Sequence, residues 1–257
     1  MERTNELLTA INKYFSSDEG TSIKYHGTGA VAKEFADVFQ FGEKFIGDAP
    51  DMFIRKNNVA FIIEHFEFDC YRATQKGSQN RREQSRIERL EKKLIPTEAG
   101  VYFHDKIHGT SSYQDYIENV CRNFNEHYLQ INTYKANLKK YGLISDSLAV
   151  QVLFLIEDTS PLGSMVVDNS NNSPSIHSIC LGACPEFLSL LDNSPDVNCV
   201  LACSMIGSTK EVWFIDRNEI SECQKKSVDY SKMNFMDYEP QVSGFQFLIP
   251  NKKDIDG

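Results

Sequence analysis

The chain has 257 residues, 41% hydrophobic and 25% charged, with 14 glycines and 8 prolines, a composition that excludes a disordered, collagen-like or low-complexity polypeptide. Its formal net charge of −9 argues, as an average, against a nucleic-acid binder, whose footprint is usually basic. No apolar run approaches the roughly 18 residues of a membrane span, the N-terminus lacks the basic and apolar regions of a signal peptide, and seven scattered cysteines suit a reducing cytoplasm.

Residues 4–16 carry Leu7, Leu8, Ile11, Tyr14 and Phe15 on one face and predict an amphipathic helix. A second helix is predicted over 30–40, with Val31, Phe35, Val38 and Phe39 as its stripe. Residues 41–50 suggest a short strand ending in a turn. The segment from Met52 to Asp69 reads as two strands joined by Asn57–Asn58, a pair that tolerates the positive φ of a tight hairpin. Its second strand is continuously apolar over Val59–Ile63, as expected of a strand buried on both faces.

A charged helix is predicted over 79–94, an irregular stretch over 97–110 and one long helix over about 112–140, which offers a dimer face. Residues 148–158 read as another buried strand, 160–175 as a loop and 184–191 as a short helix, and a last hairpin turns at Ser208–Thr209. Strands interleaved with helices predict a single α/β domain over 1–257, with a helical insert or subdomain at 79–140.

The hairpin places chemistry. With Asn57 and Asn58 as its loop, residue 55 pairs with 60 and 53 with 62, and the count brings Asp51 opposite Glu64. Two opposed carboxylates repel unless a cation sits between them, and oxygen ligands select Mg²⁺ or Mn²⁺. Glu34 lies on the core-facing edge of its helix, where an acid needs a partner.

Helix with an inward Glu34, short strand, Pro50–Asp51, hairpin, then Glu64 on a buried strand: this order over residues 28–72 resembles the PD-(D/E)XK nuclease superfamily. The resemblance implies a restriction-endonuclease-like fold, a mixed central sheet flanked by helices. It also implies Mg²⁺- or Mn²⁺-dependent hydrolysis of DNA or RNA phosphodiesters, in a defence or mobile-element setting. Asp51 and Glu64 match its catalytic and metal-binding acids, and Glu34 its helix glutamate. Phe66 stands where the family carries a lysine. Arg72 or Lys76 would replace that cation. Alternatively, a register shifted by one turns His65, Glu67 and Asp69 into the site face. A non-catalytic nucleic-acid- or protein-binding chain on the same fold is the second expectation.

Residues 72–93 hold eight basic side chains against Glu83, Glu88 and Glu91, with Arg81, Arg82, Arg86 and Arg89 suited to a phosphate backbone. The acidic average therefore hides one basic approach. Cys180, Cys184, Cys199 and Cys203 outline a four-thiolate zinc set, but burial in apolar runs is the plainer expectation for them. His104 and His108 have i, i+4 spacing outside any metalloprotease motif. Gly27–Thr28–Gly29 precedes a helix that suits an anion, and Glu157 and Asp158 end a buried strand, where α/β sites often lie.

Overall fold

A computed structural model describes residues 3–15, 22–27, 30–47, 49–74, 77–78, 85–86, 89, 101–106, 111–160, 164–169, 174–206, 208–235 and 241–246. In chain order its elements begin with α1 (Arg3–Phe15), β1 (Ser22–His26), α2 (Ala30–Phe41), β2 (Glu43–Ile46), β3 (Met52–Lys56) and β4 (Val59–Phe68). Then come β5 (Ala73–Thr74), β6 (Gly77–Ser78), β7 (Val101–Lys106), α3 (Tyr113–Tyr128), α4 (Ile131–Lys140), β8 (Ala149–Asp158), β9 (Met165–Asp168) and β10 (Ser175–Ser178). The series closes with α5 (Pro185–Asp192), β11 (Cys199–Ile206), β12 (Thr209–Asp216), α6 (Ile220–Gln224), β13 (Asn234–Phe235) and β14 (Gln241–Gln246).

Seven strands form a mixed α/β central sheet in the order β1-β12-β11-β8-β4-β3-β2. β2, β3 and β4 make an antiparallel meander, and β4, β8 and β11 run parallel. The meander turns at Asn57, whose φ of 54° is the left-handed conformation that a two-residue hairpin loop needs. The ladder then runs Lys56↔Val59, Arg55↔Ala60, Phe53↔Ile62 and Met52↔Ile63, the register counted from the sequence.

Alternation along the central strands builds two cores. Phe61 and Ile63 of β4, with Leu153 and Leu155 of β8, meet Leu7, Ala10, Ile11 and Tyr14 of α1 and Val38 of α2. On the other face, Ala60, Ile62, Phe66 and Phe68 join Val152, Phe154 and Ile156 beneath α3, α4 and α5. The spacing 7, 10, 11, 14 is the apolar stripe of one helix face. It makes α1 a cover of the sheet.

Three expectations change. The single helix over 112–140 is two, with Leu129 and Gln130 between them. His127 and Tyr134, one on each side of that break, both bond Glu64 Oε1. On a straight helix they would sit about 10.5 Å apart along the axis; here the two side chains reach one oxygen from either side of the break. Residues 101–106, expected to be irregular, pair as a strand with residues 241–246, and the expected loop over 160–175 contains β9. α3 and α4 cover one face of the central sheet. The predicted helix at 79–94 lies largely outside the described residues, with Ser85, Arg86 and Arg89 helical.

α3 starts at a cap in which Ser112 Oγ accepts the Asp115 N–H at 3.0 Å. Further along, buried Asn119 donates from Nδ2 to the carbonyls of Asp69 (2.8 Å) and Tyr71 (2.7 Å), holding the chain as it leaves β4. Asn119→Ala removes both bonds. It is expected to lower unfolding stability by about 1–3 kcal/mol, read as a reduced urea midpoint at unchanged m.

Candidate metal centre

The site forms where β4 outruns its hairpin partner. β3 pairs only as far as Ile63, whereas β8 pairs with β4 through Phe68. Beyond Ile63, odd-numbered side chains of β4 point to the α1–α2 face and even-numbered ones to the α3–α4 face, so neighbouring residues enter different surroundings.

On the α1 face, His65, Glu67 and the strand-paired Glu157 of β8 bring one ligand atom each to within 4.8 Å of one another. Glu157 is buried, His65 has a side chain only 6% exposed, and Glu67 opens the group to solvent. Glu157 Oε1 receives the Lys13 ammonium and, at 3.0 Å, the Tyr14 hydroxyl, both from the last turn of α1. Burial works to raise the Glu157 pKa, but His65, Lys13 and Tyr14 outweigh it and bring it down to about 2. The carboxylate is thus held ionised. His65 Nε2 lies 3.5 Å from Glu157 Oε2 and is buried with no hydrogen-bonded partner. A buried ring nitrogen without a hydrogen bond carries a desolvation cost that a ligand can relieve.

The opposite face holds the second acid. Glu64, 5% exposed, accepts from Tyr134 Oη at 2.7 Å and meets His127 Nδ1 at 2.8 Å through Oε1, while Oε2 is buried without a partner. Phe66, two residues on, stacks on the His127 ring at 4.8 Å and meets Phe154 edge-on. Position 66 therefore faces an aromatic core, where an ammonium would be desolvated. Asp51 sits at the edge between the two faces, with Oδ2 accepting the His65 N–H at 2.8 Å. Burial and then the Glu64 carboxylate push its pKa up to about 6, against the His65 N–H, which lowers it.

The structure therefore divides the predicted residues. His65 and Glu67 of the shifted register come together, and Glu157, a secondary candidate, joins them. Asp69 does not join that group; it accepts the Tyr71 N–H at 3.1 Å and shapes the turn after β4. Glu34 does not meet Glu64: it lies on the α2 face, bonded by Gln151 Nε2, which pairs in register with Phe61. Glu34, Asp51 and Glu64 are thus not one ligand set, because period-two alternation puts Glu64 behind the sheet from Glu34. Arg72 is described and exposed just past β4, Arg86 is half-buried and Arg89 exposed, and Lys76, Arg81 and Arg82 lie outside the described residues. Lys13 and Tyr14 carried no sequence signal beyond their place on an amphipathic helix, since Glu157 is 144 and 143 residues away.

The other candidates do not form sites among the described residues. Cys184 packs under the α3 face, whereas Cys199 and Cys203 pack under α1 and α2, so the sheet separates the two pairs. Burial raises all four thiols well above their ordinary pKa, and no cysteine belongs to a metal-suited group. His104 lies on β7, paired with Ser243, and not on a helix; His108, Thr28 and Gly29 lie outside the described residues. Asp158 turns to the α3 face, where burial raises its pKa to about 6 and the Ser160 N–H, at 2.8 Å, acts against that rise. No described helix is long and apolar enough to cross a membrane.

Comparison of the chain with protein-family models, with curated proteins and with solved structures finds no match.

Proposed function

We propose that the chain is a divalent-metal-dependent phosphodiesterase acting on nucleic acid, with its metal held by His65, Glu67 and Glu157. The observation that carries this reading is the convergence of those three donors, with the buried His65 Nε2 facing Glu157 Oε2 at 3.5 Å but making no hydrogen bond. Two carboxylates and one imidazole fit Mn²⁺ and Mg²⁺. The group also sits at the carboxyl ends of two parallel strands, a usual place for sites in α/β sheets. The order of helix, meander and parallel return strand is compatible with the restriction-endonuclease-like fold that the resemblance implies.

Each side chain has a task in this reading. Glu157, kept ionised by Lys13 and Tyr14, is the fixed anchor, and Glu67 is the ligand at the solvent side, where a polymeric substrate arrives. Lys13 brings the cation that residue 66 does not, and its ammonium beside Glu157 is placed to counter charge building on a phosphate. Bound metal would supply Lewis-acid polarisation of the phosphate and lower the pKa of the attacking water. Arg72 and the basic residues that follow are suited to holding the phosphate backbone.

The test is cleavage of single- and double-stranded DNA and RNA by the full chain with Mg²⁺ or Mn²⁺. Products are expected with metal and none with chelator. Absence of cleavage across the panel with either ion would overturn the enzyme assignment. Binding that falls steeply with salt and is not followed by cutting would support the non-catalytic nucleic-acid-binding alternative instead.

A further inference from the structure

We infer that Asp51 and Asn123 are positioning residues that stand in for a missing strand and hold the ligand-bearing end of β4 in its pleat. The inference rests on the metal reading above but concerns different residues. The β3 ladder stops at Met52↔Ile63, one step before Glu64 and two before His65. From there, among the described residues, β4 has a strand partner on its β8 side only. An unpaired edge frays or recruits another strand, because its N–H and C=O groups lack partners.

Two side chains meet those groups at alternate residues. Asp51 Oδ2 accepts the His65 N–H at 2.8 Å, and Asn123 Nδ2 donates to the Glu67 carbonyl at 3.0 Å. The backbone groups of alternate residues point to the same side of a strand. Both bonds therefore dress one edge, at the two β4 residues that supply candidate ligands. A bond from an N–H to a carboxylate is stronger than a ladder bond between neutral groups. Asp51 is itself anchored, since its carbonyl accepts the Gly47 N–H at 3.2 Å as the chain enters β3. Asn123 comes from the opposite layer, on α3. With β8 pairing the other edge, the span from His65 to Glu67 is gripped on both sides, and its odd side chains are aimed at Glu157.

This role differs from direct ligation. Asp51 does not belong to the group whose donors lie within 4.8 Å of one another. Asp51→Asn keeps an acceptor oxygen for the His65 N–H, and Asp51→Ala removes it. Two readouts on the full chain decide: Mn²⁺ affinity by titration calorimetry, and hydrogen exchange of the His65 amide by NMR. Asp51→Ala is expected to weaken Mn²⁺ binding by about 10- to 100-fold, the usual effect of losing an outer support of a metal ligand, and to speed His65 exchange. Asp51→Asn should stay close to wild type in both. Asn123→Ala should weaken Mn²⁺ binding in the same direction by less, because a neutral bond is lost.

If Asp51→Asn loses Mn²⁺ as fully as Asp51→Ala while the His65 amide stays protected, Asp51 is a direct ligand and the positioning role fails. It also fails if Asp51→Ala lowers the melting temperature and leaves Mn²⁺ affinity unchanged. Should the wild type bind no Mn²⁺, the metal reading falls, and exchange alone decides: His65 protection unchanged in Asp51→Ala overturns the inference, and lost protection restored in Asp51→Asn upholds it.

Discussion

Glu67→Ala is expected to reduce metal-dependent cleavage by about 100- to 1,000-fold, the range seen when one pre-organised electrostatic group is removed from an active site. Of the three candidate ligands, Glu67 is the exposed one, so the substitution should change folding stability by no more than about 0.5 kcal/mol. That separation matters. Glu157→Ala would also leave Lys13 and Tyr14 without the carboxylate they hold, and its loss of activity would mix chemistry with folding. Steady-state cleavage beside a thermal melt distinguishes the cases. A Glu67→Ala variant that cuts at the wild-type rate would remove Glu67 from the site.

Phe154→Ala is expected to cost about 3–5 kcal/mol of unfolding stability, the upper range for truncating a buried ring. Phe154 is fully buried at the middle of β8, with edge-on contacts to Phe66 at 6.0 Å and Phe124 at 5.0 Å. It thereby ties the meander to α3, the helix that carries Asn119, Asn123 and His127. Because α3, on the face opposite the site, grips the ligand-bearing end of β4 through Asn123, the same substitution should weaken Mn²⁺ binding, whereas Phe154→Leu should cost about 1.5 kcal/mol or less. Urea titration monitored at the single tryptophan, Trp213, measures both. An equal cost for the two substitutions would show that the ring contacts do not carry this part of the core.

Much of the architecture is legible in the sequence because it is local. The Asn57–Asn58 loop sets the hairpin register, and the 7, 10, 11, 14 stripe makes α1. The site is less legible, for one reason above others. A continuous apolar strand such as β4 has two equivalent faces, and period two assigns Glu64 and Phe66 to one and His65 and Glu67 to the other. Which face meets which helix is decided by packing that no local pattern carries. Continuing the ladder one step past Met52↔Ile63 would oppose Asp51 to Glu64. The structure puts Asp51 at the strand edge, using its carboxylate on the His65 N–H. Lys13 and Glu157 meet only because α1 packs over β8. Pairing of β7 with β14 joins segments 135 residues apart, Lys106 with Gln241 at the nearest, beyond the reach of hairpin signals. The break between α3 and α4 interrupts an otherwise continuous helical pattern, and the two side chains that flank it converge on Glu64.

The central claim is that His65, Glu67 and Glu157 bind one divalent ion. Electron paramagnetic resonance of Mn²⁺ added to the full chain tests it directly. One bound Mn²⁺ per chain is expected, with a histidine-nitrogen coupling that disappears in His65→Ala. No bound Mn²⁺, or a nitrogen coupling that survives His65→Ala, would contradict it.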